Sequence, residues 1–564
     1  MRIPFLLGLV IIFQLTACGS SSDEAIPGEV NPDTSGDQTG VVDNAIPDSI
    51  VRSDAKFLTD HFAGSDECKI CHNNLVDEND TDVSVELDWA STMMANSARD
   101  PLFRAKMASE TIRNPALKSA IEKKCSRCHT PMANVEAGKK GDVIALLPPG
   151  FLSENHNLYN LAMDGVSCSV CHQIEDTPEL GTTAGFTGNY SINSEKTIYG
   201  PVSDPQGSTM IGTTGFTPMF SGHMSDSKLC SACHNLYTDV VDIETGELTG
   251  ATFPEQNIYN EWEQSRFADE TNGKSCQDCH MPETDGVQIS SIGPDVPRDN
   301  FSRHYFVGGN TYILDIFNKN REKLGVKANG FEVTLQRTRD MLKSAASLAI
   351  VKSSNTEGSL NFTVEIKNLT GHKLPSGYPA RRAYLHVTVK NSASEIVFES
   401  GALNRDGSIV GVDADINAVE FEKHHNVITT ADQVQVYESI MGDTKNQVTY
   451  TLLNGSTYLK DNRLLPEGLI KSAATDDVKP GALAIADNNF IAGVDQVDYQ
   501  IPLESGQAYS VEVELNYQSI AYRYAQDLFT DLDKHEYINT FKTLYDDPTN
   551  ITYENIAEIK AVIN

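Results

Sequence analysis

Cys68-Lys-Ile-Cys71-His72 is the first of five like units, followed by Cys125-Ser-Arg-Cys128-His129, Cys168-Ser-Val-Cys171-His172, Cys230-Ser-Ala-Cys233-His234 and Cys276-Gln-Asp-Cys279-His280. The chain has 11 cysteines, and every one except Cys18 belongs to these units. Two thiols three residues apart reach the two vinyl groups of one haem as thioethers, and the adjacent histidine is then held under the iron. Disulfides or zinc would also use paired cysteines. Neither requires a histidine after the second cysteine every time. The expectation is five covalently bound haem c groups, with His72, His129, His172, His234 and His280 as proximal ligands.

The five units follow no fixed period, which argues against a solenoid. A compact module over residues 57–325 leaves roughly 50 residues per macrocycle, so the haems themselves form much of its core, with short helices and irregular segments around them. The grammar then changes. Residues 331–345 read as one helix. Period-two alternation follows in Asn361–Lys367, Ala383–Lys390 and Ser510–Tyr517, the pattern of half-buried strands. The expected fold is α+β and multidomain: a mainly helical and irregular five-haem module, then a haem-free, antiparallel β-sandwich-like domain over residues 326–564.

The 564 residues carry 78 acidic and 44 basic side chains, a net charge of −34. A nucleic-acid partner would demand a basic face, so none is expected. At the N-terminus, Arg2, the apolar run from Ile3 to Phe13 and Leu15-Thr16-Ala17-Cys18 read as a signal peptide over residues 1–17. This segment resembles a bacterial lipobox, which implies acylation of Cys18 and anchoring by more than one chain. Gly19 stands where an inner-membrane lipoprotein commonly has Asp, so an outer-membrane lipoprotein is expected, on the periplasmic or cell-surface face. Residues 18–56, rich in Gly, Pro, Asp, Ser and Thr, read as a flexible tether.

Each iron needs a sixth ligand or an open face. His223 and His61 each precede a haem motif by seven residues, and imidazole is a good ligand for haem iron. His304 lies in Arg303-His-Tyr-Phe-Val-Gly-Gly-Asn310, whose glycines would let backbone approach a macrocycle. His372 lies in a Gly/Pro-rich loop, Gly371 to Arg382, between two strands. His156 is a further candidate, twelve residues before Cys168. Met94, the fifth residue after Trp89, is either a thioether ligand or a core side chain. His386, His424, His425 and His535 read as surface residues without a haem motif nearby.

The chain resembles the large bacterial multihaem c-type cytochromes that respire with external or periplasmic acceptors and carry a haem-free C-terminal β domain. The resemblance rests on the five motifs, Trp89–Asp100, His129–Met132, Trp262–Phe267 leading to Cys279–Pro282, His304–Asn310, Gly371–Arg382 and Tyr458–Pro466. It implies that His372 is a distal ligand donated across the domain boundary, with His223 and His304 similar. Met94 stands where relatives often have histidine, implying a haem of different potential or an open site. It also implies electron relay between periplasmic or outer-membrane donors and an extracellular or partner-protein acceptor. The alternative is a reductase converting a small nitrogen or sulfur oxyanion at one open-faced haem. The surplus of histidines over haems favours relay and would also allow a homo-oligomer or filament in which one subunit ligates its neighbour's haem.

Overall fold

The computed structural model describes residues 55–564 except Glu270, Asp295 and Lys327. The signal peptide, Cys18 and all but the last two residues of the expected tether lie outside the described residues. Among the described residues no helix is long and apolar enough to cross a membrane.

The fold is mixed α and β. Up to residue 320 it has short helices and a few small ribbons. The longest helix here is α1 (Pro101–Arg113), started by Pro101 in its first turn and by Asp100, whose side chain accepts from the Leu102 and Phe103 amides. A hairpin of β1 (Asn235–Val241) and β2 (Leu248–Asn257) departs from the expected helical and irregular module. Helix α2 (Ile258–Glu263) follows it directly.

Helix α3 (Phe331–Ser344) leads into two sheets. The strands are β3 (Ala346–Thr356), β4 (Ser359–Asn368), β5 (Arg382–Lys390), β6 (Ile396–Ser400), β7 (Val427–Ile428), β8 (Val436–Gly442), β9 (Thr457–Asp461), β10 (Val494–Pro502), β11 (Tyr509–Gln518) and β12 (Glu554–Ile563). One sheet runs β7-β10-β4-β3; the other runs β9-β8-β5-β11-β12, with β6 also paired to β5. All pairs are antiparallel except the two-residue β7–β10 pair. Leu360, Phe362 and Val364 of one sheet share a core with Leu385, Val387, Val511 and Val513 of the other. The alternation read from the sequence is therefore the inner faces of the two sheets.

The expected boundary at 325/326 separates two kinds of sequence, and of the two main cores one lies wholly beyond it while the other crosses it. Helices α4 (Tyr522–Leu528) and α5 (Glu536–Tyr545) come from the β-rich part. Yet Tyr524, Leu528, Ile538, Phe541 and Leu544 pack with Leu102, Met107 and Phe151 of the haem-motif part. With both sheets already paired face to face, the apolar stripes of these helices find their cover on α1.

Asp495 of β10 is wholly buried, accepting from the Tyr437 hydroxyl at 2.7 Å and the Gln435 amide at 3.3 Å. Burial pushes its carboxyl up to about 7. Because the folded protein holds this proton more tightly than the unfolded chain, the stabilisation is complete below pH ~4 and is lost as the pH rises towards 7. Denaturant midpoints should therefore fall between pH 5 and pH 8 in the native protein. Asp495→Asn should flatten that slope, a difference on the order of 2–4 kcal/mol; parallel pH curves for the two proteins would refute it.

Candidate haem-binding cavity

Each motif starts on or continues a short helix: Ser65–Lys69, Lys118–His129, Cys168–Cys171, Lys228–His234 and Cys276–His280. At i and i+3 the two thiols of a motif share one helix face. That face opens, in all five cases, into one continuous cavity of about 1510 Å³ lined by all ten cysteines and all five following histidines. It exceeds the roughly 300–1,000 Å³ of a pocket for one drug-sized ligand. The donor set fits covalent haem c: paired thiols, one histidine per pair and a shared, mainly apolar space.

Contacts between thiols give the motifs a spatial order. Cys68 is a hydrogen-bond neighbour of Cys168, Cys128 of Cys233, and Cys230 of Cys276. Cys171 lies close enough to raise the thiols of both Cys230 and Cys233. The first motif thus adjoins the third, the third approaches the fourth, and the fourth touches the second on one side and the fifth on the other. The order is a branch centred on Cys230–Cys233, not the order of the sequence.

Four of the motif histidines have Nδ1 turned to a backbone carbonyl: His72 to Ile289 at 2.6 Å, His172 to Tyr199 at 2.6 Å, His280 to Val307 at 2.7 Å and His129 to Ser97 at 3.3 Å. A proton on Nδ1 leaves the Nε2 lone pair free for a metal, the usual way a second contact fixes a ligand's tautomer. Burial holds His129 and His234 at about 4, so both are neutral near pH 7.

Two histidines from outside the motifs face motif histidines. His172 and His304 have ring centres 6.3 Å apart with planes 18° from parallel; for His280 and His372 the values are 6.5 Å and 13°. Stacked rings in contact would lie much closer. Two imidazoles on opposite sides of one metal ion, with bonds of about 2 Å and each ring centre about 1.1 Å behind its nitrogen, come out at about 6.3 Å. His304 and His372 also turn Nδ1 to carbonyls, of Ser302 and Lys373.

Both facing histidines adjoin a buried cation that pins their segment. Arg303 forks onto Asp88, Nε to Oδ2 at 2.7 Å and Nη2 to Oδ1 at 3.0 Å. Lys373 is fully buried, with Nζ 2.7 Å from Asp461 and its backbone amide donating to Glu261 of α2 at 3.0 Å. Arg463 closes this network, 2.9 Å from Asp461 and 3.1 Å from Glu261. Gly371 packs closely here: a Cβ there would stand 3.2 Å from Trp262 and 3.4 Å from Phe267, so those rings would have to give by a few tenths of an ångström. Of the two glycines after His304, Gly308 faces open space, whereas a Cβ at Gly309 would meet the Tyr517 hydroxyl at 2.8 Å.

His223 must be corrected. It is buried with Nδ1 2.7 Å from the Ser221 hydroxyl and Nε2 2.9 Å from the Ile174 carbonyl. A carbonyl only accepts, so Nε2 carries the proton and has no lone pair for iron. Its ring instead lies edge-on to Tyr199, the residue whose carbonyl meets His172. His156 is outside the cavity wall, and its Nδ1 accepts from the Leu158 amide at 3.1 Å. His61 pairs with Glu136 at 3.2 Å. Met94 does line the cavity. His386, read as a surface residue, is half-buried between Glu514 and Glu399.

The surplus of distal ligands expected from the sequence is therefore gone. Among the described residues only His172 and His280 face a second imidazole. The ring of Phe103 stacks flat on that of His129, ring centres 3.6 Å apart.

No protein-family model matches the chain, and no curated protein matches it. Among solved structures the chain is similar to a penta-heme cytochrome c552 from Thermochromatium tepidum. The TM-score is 0.48 at 16% identity, covering 89% of this chain and 100% of that one.

Proposed function

We propose that this protein is a multihaem c-type cytochrome that carries five haems in the shared cavity and passes electrons among them. The observation that carries this reading is the convergence of all ten motif cysteines and their five histidines on one cavity, with thiols of neighbouring motifs in contact. A haem iron exchanges one electron at a potential set by its axial ligands and surroundings. The chain's own residues fix those ligands: backbone carbonyls orient four of the five motif histidines, and Arg303–Asp88 and Lys373–Asp461 hold the segments of His304 and His372 beside two of them. The branched motif order supplies three ends, at the first, second and fifth motifs, where electrons could enter or leave.

The physiological role in this reading is respiratory relay to an extracellular acceptor or a redox partner protein, from a Cys18 lipid anchor at the outer membrane. The net charge of −34 suits a basic partner or a cation-bearing surface. Purified full-length protein should exceed the mass of its processed, acylated chain by five haems, and all five should reduce and reoxidise reversibly. Fewer than five attached haems would overturn the reading.

A second reading, conversion of a small molecule at an open-faced haem, is favoured by one observation. His72, His129 and His234 face no second imidazole among the described residues, so the ligand surplus that argued against it is absent.

A further inference from the structure

The three ends of the motif order differ in the sign of their charge. Around the first motif, residues 60–88 hold nine Asp or Glu and one Lys. Around the fifth, residues 261–285 hold seven Asp or Glu and two Lys or Arg. Around the second the balance reverses: residues 118–140 hold six Lys or Arg against only Glu122 and Glu136. In a chain of net charge −34, that reversal falls on the motif-bearing helix Lys118–His129 and on the helix that follows it, Pro131–Lys140.

Burial sharpens the difference. Both carboxylates are buried: Glu122 accepts from Lys118 and from the Leu147 amide, each at 3.0 Å, and Glu136 lies 3.5 Å from Lys140. Their cations are not, since the side chains of Lys118 and Lys140 are each 48% exposed. Lys123 and Lys139 are exposed too, and among the described residues neither has a carboxylate within ion-pair distance. Lys124 is the exception, spent on Asp239 at 2.8 Å. The next acid along the chain, exposed Asp142, lies beyond Gly141, where the second helix ends. Contacts tie the two helices and their cations together. Asn134 of the second donates to the Ser126 hydroxyl of the first at 2.6 Å. Residues 189–192 run alongside both: Asn189 accepts from Arg127 at 2.6 Å, and the Ile192 carbonyl accepts from Lys139 at 3.2 Å. Arg127 immediately precedes Cys128, so the positive surface is built on the helix that attaches the haem.

Opposite charge raises the rate at which two proteins meet and fixes the register in which they touch. A free anion or an anionic lipid surface has no use for the end of a haem array, whereas a redox protein has. We propose that the face formed by Lys118, Lys123, Arg127, Lys139 and Lys140 docks an acidic electron-carrier protein, which exchanges electrons with the haem at Cys125–Cys128. This rests on the electron-transfer reading above. The step moves one electron and makes or breaks no bond: the carrier is oxidised as that haem iron goes from ferric to ferrous, or the reverse. The acidic first and fifth ends are left to basic partners or cation-bearing surfaces, so the sign of a partner's charge selects the end at which it exchanges electrons.

The probe is a plant-type ferredoxin, an acidic low-potential one-electron carrier, reduced and mixed with the oxidised full-length holoprotein in a stopped-flow instrument. Two net-negative proteins repel as wholes, so without a docking face the second-order rate would rise with ionic strength. The native rate should instead fall as ionic strength is raised from about 0.01 M to about 1 M. In Lys118→Gln/Lys123→Glu/Lys139→Glu/Lys140→Gln the low-salt rate should drop at least about 10-fold, and the two proteins should converge at high salt. Lys123→Glu/Lys139→Glu, which breaks no ion pair among the described residues, should give part of that loss and keeps the test decisive if the fourfold variant does not fold. A native rate that rises with salt, or variants as fast as the native protein, would overturn the proposal. So would low-salt self-association abolished by the same substitutions, which would assign the face to a second copy of the chain. An electrode titration of the native protein separates the two readings: if all five haems titrate reversibly, a failed salt test strikes this proposal alone, and if they do not, both fall.

Discussion

Replacing His372 with alanine should turn one low-spin iron high-spin and raise the midpoint potential of that haem, read by low-temperature electron paramagnetic resonance and a redox titration of the full chain. The expectation follows from the 6.5 Å, nearly parallel pair formed by His280 and His372. Removing one imidazole withdraws a donor that stabilises the oxidised iron, and axial ligation is among the strongest levers on haem potential. The loop has little freedom to supply a replacement: Gly371 is pressed against Trp262 and Phe267, and Lys373 is tied to Asp461 and Glu261. His304→Ala should do the same to the haem of His172, and the double variant should add two high-spin irons. His223→Gln should add none, since neither nitrogen of His223 is free. An unchanged spin count in His372→Ala would sink the assignment.

How much of this could be read beforehand depended on range. The haem motifs are local, and their chemistry is complete within five residues. The strands over 361–367, 383–390 and 510–517 were equally plain, because a half-buried strand writes its burial into every second residue. Helices α4 and α5 were hidden because they fold back onto α1 from the far end of the chain. The sequence offers the distal candidates His304, His372 and His223 alike, the first for the glycines at 308 and 309, the second for the Gly/Pro-rich loop around it and the third for its distance from the next motif. His223 was misread because a spacing of seven residues says nothing about where a ring nitrogen points; the deciding partner, Ile174, is 49 residues away. The pinning pairs are more remote still, 215 residues for Arg303 with Asp88 and 88 for Lys373 with Asp461.

Asp461→Ala should be among the most destabilising single changes in the protein. The four charges of Lys373, Asp461, Arg463 and Glu261 are all buried and balance one another. Deleting Asp461 leaves a fully buried ammonium and a guanidinium facing one carboxylate, and removing one partner from a buried pair costs about 3–5 kcal/mol. Burial alone would raise the Asp461 carboxyl, but Arg463 and Lys373 hold it at about 2. Since that lies below the usual value near 3.9 in an unfolded chain, the stabilisation is fully present above pH ~4 and is lost as the pH falls towards 2. Thermal unfolding at pH 7 should therefore fall sharply in Asp461→Ala, and the part of the native acid-unfolding curve between pH 4 and pH 2 should shrink with it. Because the same network anchors the His372 segment, the variant should also release a fraction of the His280 haem to high spin at temperatures where the rest of the chain is still folded. A loss below about 1 kcal/mol, as for an exposed pair, would mean that the network neither supports the fold nor positions His372.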